Sequence, residues 1–171
     1  MSVKRLCLIS MMLSIAIVVN LLESFIPMFV PGVKLGLANI IILIMLYEFR
    51  VTEAFFVDLL RIILAGLLRG SFLTPTFLMS LGGGMLSFLV MLFFSRMKIF
   101  SVIGVSVLGS ISHATGQIIV AIILLSTKAV LYYLPFIALL SLLTGIFSGV
   151  LTKIYLKRSI TQRFLKENGI E

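Results

Sequence analysis

The sequence predicts an all-α fold, an integral membrane bundle of six transmembrane helices with both chain ends in the cytoplasm, and three observations predict it. Apolar residues make up 61% of the 171 residues and charged residues only 12%, about half the charge of an ordinary soluble domain. The charges cluster at the ends and in short breaks, leaving the long uncharged runs that a hydrocarbon core of about 30 Å demands. When the runs are laid on alternating sides, the bases fall almost entirely on one of them.

The apolar runs lie at 6–22, 35–47, 53–69, 76–95, 100–126 and 134–156. The first follows Lys4-Arg5 and imitates a signal peptide. No small-x-small cleavage site follows before Asn20 and Glu23, so it reads as an uncleaved helix. The second run is short, about 20 Å as a helix, unless Pro27 to Lys34 enters the membrane with it. The stretch from Phe25 to Val33 is apolar but broken by Pro27, Pro31 and Gly32, which suits an irregular cap better than a helix. Non-helical backbone at that depth needs protein or trapped water around it. The remaining four runs are long enough to span. Residues 1–156 then form a single six-helix domain and 157–171 a short basic cytoplasmic tail that can rest on anionic headgroups.

Orientation follows from the bases. With the N-terminus inside, Lys4, Arg5, Arg50, Arg96, Lys98, Lys153, Lys157, Arg158, Arg163 and Lys166 are cytoplasmic, while Lys34, Arg69 and Lys128 are outside. That asymmetry is the positive-inside pattern. The formal charge of +8 is therefore read as topology and not as a nucleic-acid surface, since no basic face carries interleaved aromatics. Cys7 is the single cysteine and excludes an internal disulfide. Comparison of runs one to three with four to six gives no internal repeat.

Ionisable residues at membrane depth cost at least about 2.5 to 3.5 kcal/mol each and need partners or a polar cavity. In the third run Asp58, Arg61, Ala65 and Arg69 lie along one helical stripe. Asp58 and Arg61 can form a structural ion pair. Arg69 opens the outer connection Arg69-Gly-Ser-Phe-Leu-Thr-Pro75 with no acid nearby in sequence. The fifth run places Ser106, Gly109, Ser110, His113, Gly116 and Gln117 on one small, polar face, fit for helix packing or for lining a cavity. His113 is the only histidine, so no metal site can be assembled with Cys7. Gly82-Gly83-Gly84 is not a phosphate loop, because no Lys-Ser/Thr follows it. Like Gly145-x-x-x-Gly149, it reads as a close helix contact. No nucleophile, base and orienting acid come together, and neither a catalytic residue nor a cofactor is expected.

The run Pro31-Gly-Val-Lys-Leu-Gly-Leu-Ala-Asn39, with Asp58-Leu-Leu-Arg61, Leu64-Ala-Gly66, Gly109-Ser-Ile-Ser-His113 and Gly116-Gln117, resembles the Gx transporter family of small bacterial membrane proteins, also labelled heptaprenyl diphosphate synthase component I. The resemblance spans the chain to about residue 156. More distantly, the size and topology resemble the S components of energy-coupling factor (ECF) importers. That resemblance implies a multi-pass protein of the bacterial cell membrane that captures a small molecule in its outer half. The partners it implies are a membrane coupling subunit and two ATPase subunits. Such proteins meet the coupling subunit through alanines four apart in the first helix, where this chain has Ser10 and Ser14 with Ala16 nearby. The candidate substrate-binding residues are Lys34, Asn39, Arg61, Arg69, His113 and Gln117. Outer bases favour an anionic or amphipathic ligand: vitamin-like, a flavin, or an isoprenoid or quinone precursor. The enzyme label meets a chemical objection. Trans-prenyl synthases hold diphosphate through magnesium on aspartate-rich motifs, and Asp58 is the only aspartate here. The alternative is a non-catalytic membrane accessory subunit of a polyprenyl diphosphate synthase or a redox assembly.

Overall fold

A computed structural model describes residues 3–25, 36–97 and 99–158. Every regular element among them is helical: α1 Val3–Glu23, α2 Asn39–Glu48, α3 Val51–Leu68, α4 Pro75–Arg96, α5 Val102–Leu125 and α6 Leu134–Arg158, with a 3-10 turn at Lys128–Tyr133 leading into α6. The helix starts follow local chemistry. Glu53 in the first turn of α3 accepts the backbone N–H of Arg50 at 3.1 Å. Pro75 occupies the first turn of α4 after an extended Thr74, where its missing N–H costs nothing. The Ser101 hydroxyl caps α5 by accepting from the Gly104 N–H at 3.2 Å.

Four of these helices are long and apolar enough to cross a membrane: α1, α4, α5 and the continuous Ala129–Arg158. Their open faces carry Leu22, Leu89, Phe93, Ile123, Leu143 and Phe147. So much exposed large apolar surface is a liability in water and ordinary against lipid tails. The chain is built as a multi-pass membrane protein.

The other two helices depart from a plain span, for opposite reasons. Within α3 lie Glu53, Asp58 and Arg61, which the bundle must shelter. α2 has 10 residues, about 15 Å of helix. Asn39 and every residue from Ile41 to Met45 are buried in it, and it packs against all five other α-helices. A helix apolar on every side belongs at the centre of a core. The weakest candidate span in the sequence is thus the axis of the bundle.

Close helix approach is set by glycine. The most extensive contacts are α4 with α5 and α5 with α6. A Cβ on Gly116 would sit 2.7 Å from the Gly82 carbonyl oxygen, and one on Gly83 would sit 2.8 Å from the His113 carbonyl oxygen. Backbone cannot step aside, so only glycine fits. Across the other seam, Gly145 faces Val107 and Ser110, and Gly149 faces Ile103 and Ser106. The small, polar face of α5 is therefore divided: Gly109, His113, Gly116 and Gln117 serve α4, while Ser106 and Ser110 serve α6.

The three candidate contact residues of α1 differ in exposure. Ser10 and Ser14 are exposed, with the Ser14 hydroxyl donating to the Ser10 carbonyl at 2.9 Å. Ala16 is 0% exposed and belongs with Met12 to the internal core. Two residues beyond Ser14 is about 200° around a helix, so Ala16 points inward and cannot share the outer face of Ser10 and Ser14.

Candidate functional site: a polar network in the middle of the bundle

Arg61 lies near the middle of α3, 2% exposed, with Asp58 1% exposed one turn before it. Its Nε donates to Asp58 Oδ1 at 2.7 Å, and its Nη2 lies 2.6 Å from the same oxygen. Nη2 also donates to Asn39 Oδ1 at 2.9 Å. The Asn39 amide continues the chain, donating to Ser87 Oγ at 2.9 Å, and Ser87 donates to the Gly109 carbonyl at 2.8 Å. Four helices are joined by one run of hydrogen bonds: α3, α2, α4 and α5. In a low-dielectric interior such a run is strong when complete and costly when cut.

Asn39 is the first residue of α2, so this helix begins beside Arg61, deep in the bundle. The turn before it is held from α1. Glu23, the last residue of α1 and buried, accepts from the backbone N–H of Gly36 and, at 3.1 Å, from that of Leu37. Gly36 has φ +84°, left-handed backbone that glycine adopts without strain. The carboxylate stands against the N-terminal turn of α2, where the helix dipole favours negative charge.

His113 and Gln117 border the network. They stand one turn apart on α5, with the Gln117 amide nitrogen 3.0 Å from His113 Nε2. The contact joins an amide nitrogen to a ring nitrogen, and the ring's tautomer sets which of the two donates. A Cβ on Gly36 would lie 3.2 Å from the Asn39 amide nitrogen and 3.5 Å from His113 Cδ2. This turn therefore runs between the arginine network and the histidine. On α4, Gly83 faces His113 and Gln117 while Gly84 faces Ile62 and Asp58.

Asn39 and Asp58 thus each touch Arg61 directly, and His113 and Gln117 adjoin this cluster. Arg69 stands at the far end of α3, part-buried, with its Nε donating to the Ala65 carbonyl at 3.0 Å. The Glu23 carboxylate, distant in sequence, lies within electrostatic range of it. Lys34 lies outside the described residues, as does most of the Pro-rich stretch from Phe25 to Val33. Sequence reasoning missed Ser87 and the role of Glu23; Asn20, like Glu23, is buried in α1. Asn20 and Glu23 did carry a signal: polar side chains closing an otherwise apolar helix. Ser87 carried none, for a serine in an apolar helix usually bonds its own backbone. Among the described residues no cluster of three or more His, Cys, Asp or Glu could hold a metal ion.

No curated protein and no solved structure matches the chain. Residues 12–155 match the family model described as heptaprenyl diphosphate synthase component I, a stretch that includes every residue of the network. The chain therefore belongs to the heptaprenyl diphosphate synthase component I family.

Proposed function

We propose that the protein is the substrate-binding membrane subunit of an ATP-driven importer, S-component-like, capturing a small anionic or amphipathic molecule at the outer face of the bacterial cell membrane. The observation that carries this reading is the half-length α2, which begins deep in the bundle with Asn39 hydrogen-bonded to Arg61. Broken helices whose N-termini meet a polar cluster at mid-depth recur where membrane transporters hold anionic groups. A helix anchor or a lipid-facing strut has no use for such an arrangement. In this reading the chain crosses six times with both ends inside. Arg61 and Asn39 form the floor of the site, His113 and Gln117 one wall, and Arg69 the outer rim.

The protein does no chemistry of its own in this proposal. Energy comes from a membrane coupling subunit and two ATPase subunits of an ECF module, docked against the exposed Ser10 and Ser14 face of α1. Uptake in vesicles is expected to require ATP and those subunits; uptake by the chain alone without ATP would sink the mechanism. Arg69→Glu is expected to weaken ligand retention at least tenfold in a folded preparation, read by native mass spectrometry of the purified protein. Undiminished retention would remove Arg69 from the site. Ligand class is proposed only as vitamin-like, flavin, or isoprenoid or quinone precursor.

The family's description favours a second reading, a non-catalytic accessory subunit that holds a polyprenyl diphosphate synthase at the membrane. It predicts a stable complex with a soluble synthase through the basic inner face. Affinity purification that recovers only coupling and ATPase subunits would count against it.

A further inference from the structure

Asp58 uses only half of its carboxylate. Both contacts from Arg61 go to Oδ1, while Oδ2 is buried with no hydrogen-bond partner. It points toward α4, 3.7 Å from where a Cβ of Gly84 would stand, and glycine offers it nothing to accept from. A buried acceptor left open in this way is costly. The guanidinium is differently placed: it already reaches a second acceptor, Asn39 Oδ1, and has five donors in all.

Charge balance links the two facts. As it stands the pair is neutral. An anionic group brought onto Arg61 leaves one positive and two negative charges in an interior that tolerates no net charge. One proton restores neutrality, and Oδ2 can take it without breaking any hydrogen bond described above. We propose that Asp58 Oδ2 is a proton site that answers a second anion on Arg61, so that an anionic ligand and one proton enter the site together. This rests on reading Arg61 as an anion-binding group. It adds that ligand affinity falls as pH rises, by up to about tenfold per unit for one linked proton. The other ionisable groups on surrounding elements are Lys4, Arg5, Cys7 and Glu23 on α1, Tyr47 and Glu48 at the inner end of α2, Glu53 on α3 with Arg69 at its C-cap, and His113 on α5. The part of α4 that meets Asp58 presents none.

The test needs no ligand. Asn39→Asp places a carboxylate on the Arg61 guanidinium with almost no change of shape and stands in for the incoming anion. The full chain in phosphatidylglycerol nanodiscs is examined by infrared difference spectroscopy at neutral pH, where a protonated carboxyl gives a C=O stretch that a carboxylate lacks. The proposal expects this band in Asn39→Asp, its absence in the parent protein, and its loss in Asn39→Asp/Asp58→Asn. Arg61→Gln is the second variant and does not depend on the first folding: the band is expected there too, and lost on adding Asp58→Asn. Absence of the band from both variants overturns the inference, as does a band that survives Asp58→Asn. Failure here leaves the importer reading standing, and failure of ATP-dependent uptake leaves this result untouched.

Discussion

Arg61 and Asp58 are not equivalent partners. An arginine stays charged at any pH a protein meets, whereas a carboxylate can be neutralised by a proton. Asp58→Asn therefore leaves a buried cation with amide acceptors only, and a loss of about 3–5 kcal/mol is expected. Arg61→Gln is expected to cost less, because the stranded carboxylate can protonate. Thermal unfolding of the two variants in one detergent checks the order, and equal losses would contradict it. The residues of this pair stand out in the sequence because charge inside an apolar run is rare. What the sequence could not say is that Asn39, 22 positions away, would be the second acceptor, since nothing local marks which helices share a depth. Glu23 is hidden for the same reason: its partners are backbone N–H groups, and backbone has no sequence signature.

Helix boundaries were legible, and helix neighbours were not. The observed limits of α1, α3, α4 and α5 fall within a few residues of the apolar runs, because a run ends where charge, proline or a capping hydroxyl begins. The place of α2 at the axis was hidden, since an all-apolar run reads alike whether lipid or protein surrounds it. Glycine separates the two environments. A methyl at Gly83 would come within 2.7 Å of Gln117 Cγ as well as pressing on the His113 carbonyl. Gly83→Ala is expected to cost about 1–3 kcal/mol. Gly104, whose added Cβ would meet nothing nearer than 3.6 Å, is the contrast: Gly104→Ala is expected to be neutral or stabilising by up to about 1 kcal/mol. Unfolding midpoints of both variants test the pair.

For the molecule as a whole, α1 is fastened to the rest at both ends. At one end Arg5 grips Glu53 with two bonds, Nε to Oε1 at 3.0 Å and Nη2 to Oε2 at 2.9 Å. At the other Glu23 holds the turn before α2. A double-mutant cycle of Arg5→Gln and Glu53→Gln is expected to show a coupling of about 1 kcal/mol; no coupling would make this clasp ornamental. The proposed six-pass topology makes its own prediction. With Cys7→Ser as background, single cysteines at Ser71 and Ser126 should react with an impermeant thiol reagent from outside intact cells, and one at Ser95 should not. Labelling of Ser95 would reverse or break the topology. The charge pattern of the sequence pointed to that orientation, because bases sort by side regardless of which helices touch.

The central place of α2 also bears on how the protein is made. Helices leave the ribosome in chain order, so α2 emerges before α3, α4, α5 and α6, four of the five helices that surround it. Alone it is too short to cross the bilayer, and the Asn39 side chain at its deep end has its partners, Arg61 and Ser87, on helices that emerge later. Stable burial must therefore wait until the later helices arrive. Until then the segment lacks most of its neighbours, and the bundle closes around it only after the later helices have emerged.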